Sequence, residues 1–121
     1  MCKVVSFKVG DKTIRAADIK KEYIINAADK AKDCSAIDKL VLFGSSISEN
    51  CTGSSDIDLA VFGKQSENRM MKLKSYKTFV RELFKYDFSQ NYDVLYFDST
   101  KDNHSRILED INKGVVLYEK A

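Results

Sequence analysis

Leu40–Gly63, LVLFGSSISENCTGSSDIDLAVFG, is the stretch whose reading decides the fold. Lys39–Phe43 is nearly all apolar, the pattern of an interior strand covered on both faces. Gly44-Ser45-Ser46 turns the chain, and Ser45–Glu49 has the composition of a short helix start with a serine cap. Asn50–Ser55 is turn-rich, and a second strand is predicted from about Asp56 to Phe62, ending at Gly63. Residues i and i+2 of a strand share a face at about 6.5–7 Å, so Asp56 and Asp58 project together. Two carboxylates that share a ligand repel each other unless a cation sits between them. Hard oxygen donors of this kind suit magnesium, which binds through one or two carboxylates plus substrate phosphates. The same Asp-x-Asp also describes two solvated aspartates on a half-buried strand. What distinguishes the stretch is Gly44-Ser45, where an absent side chain lets backbone N–H groups and a hydroxyl approach a phosphate. Ten residues, Ser46 to Ser55, separate it from Asp56, enough to bring the second strand back beside the first.

Before this stretch, KVVSFKV (3–9) alternates loosely, and Gly10-Asp11 supplies a turn, so a short N-terminal hairpin over residues 1–15 is expected. Ile19, Tyr23, Ala27 and Ala31 then recur at helical spacing, predicting a helix over roughly 16–32. After it, residues 67–86 carry the longest helical pattern. Met70, Leu73, Tyr76, Val80, Leu83 and Phe84 fall on one face; Lys74, Lys77, Arg81 and Lys85 line another, read as a solvated surface. Tyr92–Phe97 is a third strand, with Asp93 near its start and Asp98 just past its end. Ile107, Leu108 and Ile111 suggest a short helix closed by Gly114 as its C-terminal cap, and Val115–Tyr118 a last strand. The expected fold class is α/β (α+β), a small mixed sheet covered by helices, in a single domain over 1–121.

Composition bounds the function. The chain has 121 residues, 44% of them hydrophobic and 31% charged, with a net charge of +2, which gives no argument for direct nucleic-acid binding or for an anionic membrane. No apolar run approaches a membrane span and no secretory leader is legible at the N-terminus. Cys2, Cys34 and Cys51 make neither a disulfide framework nor a zinc spacing, so a cytoplasmic location is expected. Cys51 lies within the central stretch without an adjoining cation and is read as a bystander thiol. His104 has no triad partners near it in sequence. Neither a P-loop nor a dinucleotide fingerprint is present.

Gly44-Ser45, ten residues, and Asp56-Ile57-Asp58 resemble the GSx10DxD motif of the minimal nucleotidyltransferases, small members of the DNA polymerase beta superfamily. The likeness extends to Asn91-Tyr92-Asp93-Val94-Leu95, similar to the family strand that brings a third carboxylate, and to Ile107–Tyr118, similar to its closing helix and strand. It implies the polymerase beta-like nucleotidyltransferase fold. It implies that Gly44, Ser45 and Ser46 bind the nucleotide, and that Asp56, Asp58 and Asp93 form a two-metal magnesium site, Asp93 also helping to deprotonate the acceptor hydroxyl. Asp98 is the competing third carboxylate. The implied reaction is in-line attack of a hydroxyl on the α-phosphate of ATP or another nucleoside triphosphate.

The chain departs from the family in one place: Ser46–Asn50 has no basic residue where members carry an arginine suited to phosphate oxygens, which implies weaker nucleotide binding. The family also implies a partner. Minimal nucleotidyltransferases are commonly paired with a helical HEPN protein, and as type VII-like antitoxins they adenylylate a tyrosine of that HEPN toxin. The alternatives are an antitoxin acting by contact with little or no catalysis, and a nucleotidyltransferase with a small-molecule acceptor.

Overall fold

The computed structural model describes residues 2–101 and 106–120, so His104 lies outside the described residues. Strands β1 (Val4–Val9) and β2 (Lys12–Ala17) form an antiparallel hairpin. Gly10 makes its turn at φ +60°, a conformation open to a residue without Cβ. Helix α1 (Lys21–Lys32) follows, then β3 (Lys39–Phe43), β4 (Ile57–Gly63), helices α2 (Glu67–Lys72) and α3 (Lys74–Tyr86), β5 (Tyr92–Asp98), α4 (Arg106–Asn112) and β6 (Val115–Glu119). Four strands make the main sheet in the order β5-β4-β3-β6, with β3 antiparallel to both neighbours and β4 parallel to β5. This is the small mixed sheet with helical cover that the sequence predicts.

Burial explains the nearly unbroken apolar run of β3. Leu40 and Leu42 face a large core shared with α1, α3 and the hairpin residues Phe7, Val9, Ile14 and Ala16. Val41 and Phe43 face a smaller core with Ala60 and with Ile111 of α4. The alternation continues into β4, where Ile57, Leu59 and Val61 point to the large core. Asp58, Ala60 and Phe62 therefore take the α4 face, by the two-residue period of a strand.

Three expectations need correction. The hairpin runs on to Ala17, and a 310 turn at Asp18–Lys20 separates it from α1, so Ile19 stands 48% exposed. The buried face of α1 is Ile24, Ala27, Ala28 and Ala31, with Tyr23 only half-buried. The long helix is two helices, broken at Leu73, whose φ −69° and ψ 127° are extended. At about 3.6 residues per turn, Met70 and Phe79 would stand on opposite sides of one continuous helix. Both are almost wholly buried, and the break at Leu73 re-phases the chain so that both reach the core. Finally, Gly114 closes α4 by donating its N–H to Ile111 O (2.9 Å) but without the left-handed backbone of a glycine cap, since only Gly10 and Gly44 have positive φ among the described glycines. Its role is close approach: a Cβ there would run into the carbonyl of Leu42, beside which β6 begins.

Candidate active site

The end of β3, the starts of β4 and β5 and the end of α4 meet at one end of the sheet. Gly44 follows Phe43 directly and takes φ +77°, opening a 310 turn over Gly44–Ile47 in place of the serine-capped α-helical start. A Cβ on Gly44 would collide with Oδ2 of Asp58, so glycine is required here both for its backbone angle and for the carboxylate beside it. Ser45 is half-exposed next to it, whereas Ser46 is completely buried and its hydroxyl has no partner among the described residues. Of the three residues predicted to hold a nucleotide, Gly44 stands against Asp58, Ser45 is half-exposed after it, and Ser46 is buried.

Asp56 is exposed just before β4, and Asp58 is half-buried within it. Asp93 is exposed near the start of β5 and is the registered partner of Asp58 in the parallel pair. Registered residues of adjacent strands share a face and lie about 4.8 Å apart, so the fold brings Asp93 to Asp58 from 35 positions away. The electrostatics reflect the gathering. Partial burial pushes the Asp58 carboxyl above the usual range, and the charges of Asp93 and then Asp56 push it further. Asp98, the rival to Asp93, is buried at the far end of β5 and accepts hydrogen bonds from the N–H (3.0 Å) and hydroxyl (2.6 Å) of Thr100. Those bonds hold its carboxyl below the usual range and mark it as a turn-forming residue.

The metal fit can be judged from these donors. Among the described residues, no group of three His, Cys, Asp or Glu is drawn together into a ready-made cation cage. Carboxylate repulsion is nonetheless present at Asp58, and a divalent ion held by one or two carboxylates and completed by phosphate oxygens needs no such cage. The carboxylates would suit a divalent ion only where a ligand's own oxygens complete its shell.

A cleft of about 360 Å³ opens beside Asp58, lined also by Gly44, Ile47, Ile107, Asp110 and Lys113. A larger one, about 640 Å³, lies between α1 and α3 around Lys30, Lys74 and Glu82, but none of the motif carboxylates lines it. Chemistry therefore favours the smaller cleft. It adds two residues that sequence reasoning missed, Asp110 and Lys113, because ILEDINKG read only as a helix and its end. Lys113 is an exposed cation on the cleft wall, where Ser46–Asn50 supplies none.

Two further residues were invisible in the sequence. Lys20, whose burial nothing in its local sequence signals, is 1% exposed. Its ammonium donates to Ser55 O (2.7 Å), Gly53 O (3.3 Å) and Gln90 Oε1 (2.6 Å). Burial lowers its pKa, and the nearby Cys51 and Asp56 oppose that shift. Gln90 is also buried, and its amide donates to Ser55 O (3.1 Å) and Asn91 O (2.7 Å). Cys51 is buried against Cys2 and Ala17, and burial, with the Cys2 thiol beside it, pushes its own thiol up to about 11, which keeps it an unreactive packing group. The basic stripe Lys74, Lys77, Arg81 and Lys85 is exposed throughout, as a solvated face should be. No helix among the described residues is long and apolar enough to cross a membrane.

Comparison with curated proteins gives no match. Comparison with family models does: residues 22–121 match the family described as polymerase beta, nucleotidyltransferase. That span takes in the whole four-stranded sheet, the Gly44 turn and the registered aspartates, and the chain belongs to the polymerase beta nucleotidyltransferase family.

Proposed function

We propose that this chain, acting as a single domain in the cytoplasm, transfers a nucleoside monophosphate, AMP from ATP, to a hydroxyl acceptor. The observation that carries the reading is the registry of Asp58 with Asp93 beside the side-chain-free turn at Gly44. Gly44, Ser45 and Ser46 would receive the triphosphate, and Lys113, which lines the same cleft as Gly44, would meet its charge. Asp56, Asp58 and Asp93 would hold magnesium, which would supply charge stabilisation to the transfer. Asp93, the most accessible member of the registered pair, takes the proton of the acceptor hydroxyl. The hydroxyl oxygen bonds to the α-phosphorus, the bond to the bridging oxygen of the β-phosphate breaks, and pyrophosphate departs.

The acceptor we favour is a tyrosine of a HEPN partner, as the resemblance to minimal nucleotidyltransferases implies. A reading as an antitoxin acting by contact alone draws on one observation, the absence of a basic residue from Ser46–Asn50. One experiment separates the two. The chain is incubated with α-labelled ATP, magnesium and the protein encoded beside it, in parallel with an Asp56→Asn variant. Label on the neighbour with the wild type alone supports transfer. No label, together with inhibition that survives in Asp56→Asn, sinks the enzymatic reading. A neighbour without HEPN character that stays unlabelled, while small hydroxyl compounds become labelled, moves the acceptor to that class.

A further inference from the structure

The loop between the Gly44 turn and Asp56 is held from outside, by the N-terminal segment. At its near end, Cys2 donates its backbone N–H to Glu49 O (3.1 Å) and its thiol to Ser48 O (3.3 Å). In the middle, the side chain of Cys51 is wholly buried against Cys2 and Ala17. At the far end, Lys20 binds the carbonyls of Gly53 and Ser55, the latter immediately before Asp56. The same ammonium reaches Gln90, and the carbonyl of the next residue, Asn91, accepts the N–H of Ile57 (3.0 Å). Cys2, Ala17 and Lys20 all precede the residues that match the family.

A buried ammonium costs free energy unless its donors are used, and here three acceptors from two different segments use them. One segment leads into Asp56, the other into the strand that carries Asp93. We propose that Lys20 is a positioning residue: by tying Gly53 and Ser55 to Gln90, it sets Asp56 in register with Asp58 and Asp93. The hairpin and the turn after it are thus a built-in brace of the site. This deepens the reading of the carboxylates as a metal and nucleotide site and rests on it.

The role as a brace and the role as a charge predict opposite results. Removing a nearby positive charge alone would tighten cation binding, whereas releasing Asp56 would weaken it. The test compares wild type, Lys20→Met, Gln90→Met and Asp58→Asn. It uses Mn2+ as the probe, followed by electron paramagnetic resonance, and amide hydrogen exchange over residues 50–57 and 88–94. Lys20→Met, folded by circular dichroism, should exchange faster in both segments while β3 and α3 keep their protection. Its Mn2+ affinity should fall about 10- to 100-fold, the usual loss when a group supporting a metal ligand is removed. Gln90→Met, which leaves Lys20 two of its acceptors, should shift both readouts the same way by less. Unchanged exchange, or Mn2+ affinity equal to or tighter than wild type, overturns the proposal. Should Lys20→Met not fold, Gln90→Met decides by the same criteria. If wild type and Asp58→Asn both fail to bind Mn2+, the metal reading falls, and the exchange rates still decide the brace.

Discussion

On the proposed reading, Asp58 carries a conflict between stability and function. Its carboxyl titrates above the usual range because it is partly buried and faces Asp93 and Asp56. A folded-state value above the unfolded one means that folding favours the protonated form. Relative stability is then fullest below the unfolded value, about pH 3.9, and is lost as pH rises through the raised one. At neutral pH the fold bears this cost, and Asp58→Asn should therefore melt higher than wild type at pH 7, with the difference closing towards pH 3. A thermal melt across that range checks it, and a variant that melts lower at pH 7 would show that the repulsion is already relieved. Gly44 carries the complementary constraint. Gly44→Ala puts a Cβ at φ +77°, at a cost of about 1–2 kcal/mol, and drives it into Oδ2 of Asp58. It should lose Mn2+ binding while keeping its circular dichroism spectrum. Gly44, Asp56 and Asp58 stood out in the sequence by spacing and residue type, and Asp93 only through the resemblance to the family strand. Lys20, Gln90 and Lys113 were silent, since nothing local tells a lysine tied to a distant loop from one in water.

The elements were legible wherever one period ran unbroken. β3 and β4 read correctly from their apolar runs, and β5 from YDVLYF, because strand period and burial coincide there. The joints were not. Leu73 carries no turn residue's signature and falls on the expected apolar face, and only the clash of phase between Met70 and Phe79 betrays the break. Ser66, whose hydroxyl accepts the N–H of Arg69 (3.3 Å), starts α2, and the extended Leu73 restarts the chain as α3. Phe79, 1% exposed, is the anchor of α3 against the sheet, so Phe79→Ala should cost about 3–5 kcal/mol in urea unfolding. Tyr23 ties α1 to the far end of α3 by donating to Asp87 (2.7 Å), and Ser89 donates to the same carboxylate. These bonds hold Asp87 below the usual range, so their stabilisation is present above the unfolded value and lost as pH falls through the lowered one. Tyr23→Phe should accordingly lower the melting temperature at pH 7 and make little difference in strong acid.

At the scale of the molecule, the proposed site is assembled from carboxylates that repel one another, a repulsion that a bound cation would relieve. Strand registry brings Asp58 to Asp93, the hairpin side presses the loop that delivers Asp56, and α4 closes the cleft with Lys113. Such a site is a source of ligand-dependent stability. A ligand that binds only the folded state stabilises it by RT ln(1 + [L]/Kd), about 2.7 kcal/mol at a hundredfold excess over Kd. For a chain of this size that is on the order of 10 °C in Tm. Magnesium with ATP should thus raise the melting temperature of the wild type substantially and leave Asp58→Asn nearly unmoved. Without ligand the order is reversed, because the variant lacks the repulsion that burdens the wild type. The two melting curves should therefore exchange places as magnesium and ATP are added. A general gain in packing from the asparagine would keep the variant above the wild type at every concentration, and a collapse of the fold would keep it below. Only a carboxylate held in place for a cation that comes with its nucleotide gives the crossing.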